Sequence, residues 1–318
     1  MIATRPLLRT TAVAGAGLIA LYTGAIAGAD AITKAFAGSF EAPQLFFFAA
    51  LIVLVTSLAA ARLRGETALR TGFVKLTALR SVLTVIAACM YFHAFRHLPF
   101  AEVFVFIGLA PVIAALLSRP VLGEGVRPQG WMALSLGVLG IFCLFPGGIA
   151  AVTSGHLFAL GATASGTASI VLTRYIARAE RNPLAQVFYP QLAIAITMGL
   201  ALPFVWQPMT LADCGWIILY ALLIFAARWL SVEALRLLPA HVATPLMNLQ
   251  FVWMVLLGNA LFGEVPGIAI YTGVACVVVS GLWLVLDEVS NLHRKALHRK
   301  ALHRKALHRK AGSATAGA

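Results

Sequence analysis

The chain has 318 residues, of which 61% are hydrophobic and only 11% charged. That balance lies far outside the composition of soluble domains and marks a membrane protein. The formal charge of +13 does not point to nucleic acid, because eight of the 24 Lys and Arg sit in four LHRKA repeats between Leu292 and Ala311, and the rest of the chain carries +5.

A helix needs about 20 apolar residues to cross a bilayer. The sequence offers ten such stretches, near 12–32, 42–61, 74–96, 100–122, 128–146, 155–177, 184–205, 212–236, 240–262 and 266–286. The first lacks a signal-peptide cleavage pattern and is read as a retained span. The LHRKA tail repeats every five residues, about 140° per repeat of a helix, so its leucines spiral around instead of forming a stripe. It reads as a low-complexity basic tail. Cys89, Cys143, Cys214 and Cys276 show no metal-ligand or redox spacing and read as structural thiols.

The chain repeats itself. Ala94, Arg96, Leu98, Pro99, Gly123 and Glu124 recur as Ala234, Arg236, Leu238, Pro239, Gly263 and Glu264, each pair 140 positions apart. Leu109, Leu116 and Leu117 meet Leu249, Leu256 and Leu257 at the same offset, and Thr33-Lys34 meets Thr173-Arg174. Each half therefore carries five spans, and an odd number sends the second half into the bilayer in the opposite sense. The expected fold is all-α, with ten transmembrane helices in two inverted five-helix repeats around a central cavity. The division is a short N-terminus over 1–11, a first repeat over 12–146, a second over 147–287 and the tail over 288–318. Arg5, Arg9, Arg62, Arg64, Arg70, Lys75, Arg119, Arg127, Arg174, Arg178, Arg181 and Arg236 cluster on one side, against Lys34 and Arg96 on the other. The positive-inside rule then puts both termini in the cytoplasm.

Ten spans in two halves, each with a fourth helix entered through Ala-x-Arg-x-Leu-Pro and left through Gly-Glu, resemble the EamA-type drug/metabolite transporter superfamily. The stretch AEVFVFIGLAPVIAALL is similar to that family's fourth helix. Phe251, the mate of Pro111, departs from the family's usual proline. The resemblance implies a small-metabolite permease of a bacterial inner membrane, commonly an exporter, with relatives that export amino acids, aromatic ones among them. Others exchange phosphorylated compounds.

Ionisable and amide groups inside hydrocarbon are expensive and are functional candidates by default. Arg228 is the deepest cation; Asn248 and Gln250 offer neutral hydrogen bonds, and Tyr22, Tyr91, Phe104, Trp229 and Trp253 are the apolar contacts. Gly108, Pro111 and Pro245 are candidate kinks, and the repeat mates His93 and Glu233 candidate gating residues. Phe104, Gly108 and Pro111 share one face if their span is a single helix. Arg80 is expected to snorkel to the interface, Gly24 and Gly28 to mark tight helix contacts, and Glu102 to answer a helix dipole. Asp30 is a candidate proton or cation site.

No ATP-binding, hydrolase or metal motif is present, so neither catalytic residues, metal nor cofactor is expected. The expected partners are a small-molecule substrate and the lipid bilayer, with a monomer as a sufficient unit. The reading is a secondary permease exporting amino acids with aromatic or bulky apolar side chains by alternating access. Exchange of phosphorylated metabolites or nucleotide sugars, and an enzyme acting on lipid-linked substrates, are the rival readings.

Overall fold

The computed structural model describes residues 4–64, 69–123, 152–177, 179–180, 183–237 and 249–273, with isolated positions elsewhere. These form α1 (Thr4–Ala37), α2 (Ala42–Arg64), α3 (Val74–His97), α4 (Phe100–Ile107), α5 (Ala110–Leu122), α6 (Ser154–Ala177), α7 (Pro183–Val205), α8 (Leu211–Leu237) and α9 (Leu249–Phe262). No strand occurs among the described residues. Among the described residues five stretches are long and apolar enough to cross a membrane: Ala42–Leu63, Val74–His97, Phe100–Leu117, Ser154–Ile176 and Leu184–Val205. Leu211–Ala227 and Leu249–Phe262 are shorter apolar helices. Val55, Leu200 and Phe204 remain largely exposed, the distribution of a surface meant for lipid rather than water.

The most extensive packing joins α3 to α6, α1 to α8 and α2 to α7. Under the 140-residue offset α1 corresponds to α6, α2 to α7 and α3 to α8. The α3–α6 contact therefore maps onto α8–α1, and α2–α7 maps onto itself. Helix packing thus obeys a pseudo-twofold relation between the halves, as inverted repeats require.

The span expected over 100–122 is two helices, not one. The Gly108 N–H still reaches the Phe104 carbonyl at 2.9 Å, but Leu109 closes a tighter turn onto Phe106, also at 2.9 Å. Pro111 then falls in the first turn of α5, where its missing N–H costs nothing. Phe104, Gly108 and Pro111 consequently share no continuous helical face. The opposite ends of the repeated segment are alike: Gly123 has φ 70° and Gly263 φ 65°. Gly263 donates its N–H to Asn259 at 3.0 Å, the left-handed cap that glycine adopts without a Cβ clash.

Two apolar clusters fill the interior. One brings Phe95, Phe100, Val103 and Phe104 against Met254. The other packs Leu45, Phe46, Val53 and Phe92 against Met198 and Ala221. Burying side chains of this size contributes roughly 1.5–3 kcal/mol each in water; within a bilayer the same contacts act through close packing.

Candidate functional site

Four helices bring polar and aromatic groups together beside the first cluster. On α1, half-buried Asp30 accepts a hydrogen bond from Gln250 Nε2 of α9 at 3.1 Å. Tyr91 on α3 packs on the same apolar cluster as Trp253 and Phe251, and its hydroxyl meets Thr163 Oγ1 of α6 at 3.1 Å. The Thr163 proton already goes to the Ala159 carbonyl at 2.9 Å, so Tyr91 donates to Thr163 and keeps its own oxygen as an acceptor. The Gln250 carbonyl oxygen likewise accepts no hydrogen bond among the described residues.

Aromatic side chains flank these groups. Phe104 and Phe251 rings lie 5.2 Å apart, and Tyr91 stacks on Phe95 at 6.1 Å. A Cβ on Gly24 would lie 3.4 Å from the Trp253 ring, so the glycine admits the indole against α1. The Trp253 indole N–H is buried with no hydrogen-bond partner among the described residues. A buried donor left unpaired costs about 1–3 kcal/mol, which a hydrogen-bonding solute can recover. Gly28 meets Leu223 of α8 at 3.3 Å in the same way. Both glycines mark close helix approaches.

Among the sequence candidates, Tyr91, Phe104, Gln250 and Trp253 come together here. Tyr22 is half-buried on α1, two turns before Asp30. Arg228, Trp229 and Glu233 lie on α8, but their side chains are outside the described residues, as are Asn248 and Pro245. His93 packs its ring on Phe158 at 5.2 Å, an aromatic contact. The sequence undervalued Asp30, whose signal was a carboxylate inside an apolar span.

Arg80 corrects an expectation. It is 8% exposed rather than snorkelled, and it donates to Thr173 Oγ1 of α6 and to the Gln186 carbonyl of α7. Thr84 and Ser169 extend this polar seam at 2.9 Å. An arginine tying its own helix to two others in this way is a structural rivet. Glu102 has a partner besides the helix dipole, since its carboxylate lies 3.5 Å from His156 Nε2. A cavity of about 260 Å³ opens between α3 and α7 beside Thr77, Ser81 and Tyr189; Asp30 and Gln250 are not among its lining residues.

At the C-terminal end of α1 the repeated motifs meet. Lys34 Nζ lies 2.7 Å from Glu264 Oε1, donates to the Leu98 carbonyl at 2.8 Å and stands 5.3 Å over the Phe262 ring. The second oxygen, Glu264 Oε2, accepts the Phe100 N–H at 2.8 Å, capping α4 from the other half of the chain. Gly258 lets this carboxylate approach, since a Cβ there would lie 3.3 Å from Glu264 Oε2.

Apolar spans related by an internal pseudo-twofold, with polar groups facing one another across the repeat boundary, define an integral membrane protein of the inverted-repeat transporter class. Residues 14–145 and 153–286 each match the EamA-like transporter family. The chain belongs to the EamA-like transporter family. A curated relative, the riboflavin transporter of Rhizobium johnstonii (strain DSM 114642 / LMG 32736 / 3841), is 25% identical over 233 residues, 73% of this chain and 77% of its own length. A solved crystal structure shares the fold with a TM-score of 0.60 at 18% identity, over 86% of this chain and 97% of that one.

Proposed function

We propose that this chain is a secondary permease for a small solute bearing a flat aromatic ring with a hydrogen-bonding edge. The single observation that carries the reading is the Asp30–Gln250 pair, at 3.1 Å, set beside the unpaired indole N–H of Trp253. Gln250 and Tyr91 offer acceptors, Trp253 offers a donor, and the aromatic rings offer flat faces, which suits a heteroaromatic solute. The name of the curated relative supports riboflavin as the first candidate. A neutral ring system needs no cation, and none accompanies Asp30 among the described contacts.

The second reading is an aromatic amino acid, favoured by Asp30 itself: a carboxylate within the span can receive the solute's ammonium. On either reading the inverted halves exchange inward-open and outward-open states around this site, in a bacterial inner membrane with both termini cytoplasmic.

Counterflow in sealed proteoliposomes distinguishes the two. Vesicles loaded with riboflavin should accumulate labelled riboflavin well above protein-free vesicles, and unlabelled phenylalanine or tryptophan outside should not compete. Competition by the amino acids with no riboflavin counterflow selects the second reading, and no protein-dependent flux of either overturns both.

A further inference from the structure

We propose that Lys34 and Glu264 are gating residues of transport, forming an ion latch that holds one mouth of the protein shut. The inference depends on the family's transport activity and not on which solute is carried. Asp30 lies one turn before Lys34 on α1, about 6 Å of helix rise, so the latch sits next to the Asp30–Gln250 pair. It joins three elements that must part for that end to open: the end of α1, the 98–100 turn and the exit of α9. Lys34 holds the Leu98 carbonyl and the Glu264 carboxylate simultaneously, and Glu264 holds the Phe100 N–H with its second oxygen.

The surroundings suit a reversible contact. The two side chains are 11% and 24% exposed, at the edge of the protein rather than in its centre. When the mouth opens both charges regain water, so the desolvation penalty of the closed pair offsets much of its attraction. A near-balanced contact is what a two-state switch requires, since a ligand can shift only a modest free-energy gap. Arg174, the repeat mate of Lys34, is exposed and has no partner among the described residues. The residues that would answer Arg174 by the same offset, Glu124 and Leu238, lie outside the described residues.

The test uses the full-length protein in lipid nanodiscs, its four cysteines replaced by alanine, with spin labels introduced by Ser39→Cys and Val265→Cys. Both positions are exposed beside this mouth. Pulsed dipolar spectroscopy then reads their separation without any solute, so a wrong solute assignment leaves the result intact. Lys34→Met and Glu264→Gln each remove the ion pair while leaving an oxygen to cap Phe100. Each should raise the ratio of long to short separations by about tenfold, the effect of losing one charge-assisted hydrogen bond. The double variant should match Lys34→Met, which removes the Leu98 contact as well as the ion pair, so Glu264→Gln should add nothing to it. In the unsubstituted labelled protein, raising salt from 0.05 to 1 M should shift the ratio the same way through screening of the partly exposed charges. Unchanged separations in the variants and across the salt series overturn the latch, as do additive effects in the double variant. Failure of the variants to fold, with no salt response in the unsubstituted protein, makes the pair static support and equally overturns it.

Discussion

Lys34 and Asp30 are one turn apart on the same helix, yet the chain treats them differently. Lys34 has a basic mate in the other half, Arg174, whereas the mate of Asp30 is Ile170. The partners follow suit: Glu264 has Glu124 as its mate, while Gln250 has Ala110 and Trp253 has Ile113. The charged and motif residues that the halves share lie at helix ends, and the polar pair between the halves is not shared. Duplication supplies the ends that both mouths need. A solute occupies one place at a time and can be recognised by residues that occur once.

That division can be broken by substitution, and Arg80 offers the largest effect. Arg80→Met removes a buried guanidinium and strands its acceptors on α6 and α7, so stability should fall by about 2 kcal/mol. Thermal unfolding in detergent reads this, and an unchanged midpoint would deny the rivet. Gln250→Ala belongs to the unduplicated site: counterflow should weaken about tenfold in half-saturating concentration, with the unfolding midpoint nearly unmoved. Trp253→Phe keeps an aromatic ring but deletes the N–H together with the pyrrole half of the indole. If that donor meets the solute, affinity should drop severalfold; if it stays unpaired when solute binds, the variant should bind as well as the parent. The smallest effect is expected for Arg174→Met, which replaces an exposed side chain and should change stability by less than about 0.5 kcal/mol. A large loss there would show that the two ends are equally engaged.

Much of this architecture was legible because apolar run length and a fixed offset are local or nearly local signals. The expected spans 42–61, 74–96, 155–177 and 184–205 sit within α2, α3, α6 and α7, with ends that differ by at most three residues. The expected span 100–122 did not survive as one helix, because the break depends on how Gly108 and Leu109 distribute their hydrogen bonds, not on Pro111 alone. Long-range partners were the harder problem. Gln250 and Asp30 are 220 positions apart, and Glu264 and Phe100 are 164 apart. The Gly-Glu motif was visible, but what its glutamate holds was not. Arg80 was misread for the same reason: nothing near it in sequence announces Thr173 or Gln186.

The central claim is that a solute with a flat aromatic ring crosses the membrane through the site built on Asp30 and Gln250. Counterflow of labelled riboflavin and of labelled aromatic amino acids, measured side by side for the parent protein and for Gln250→Ala in sealed proteoliposomes, tests it most directly. The account predicts saturable, protein-dependent accumulation of one of these solutes that weakens about tenfold in the variant. Equal accumulation by both proteins, or none by the folded parent, would contradict it.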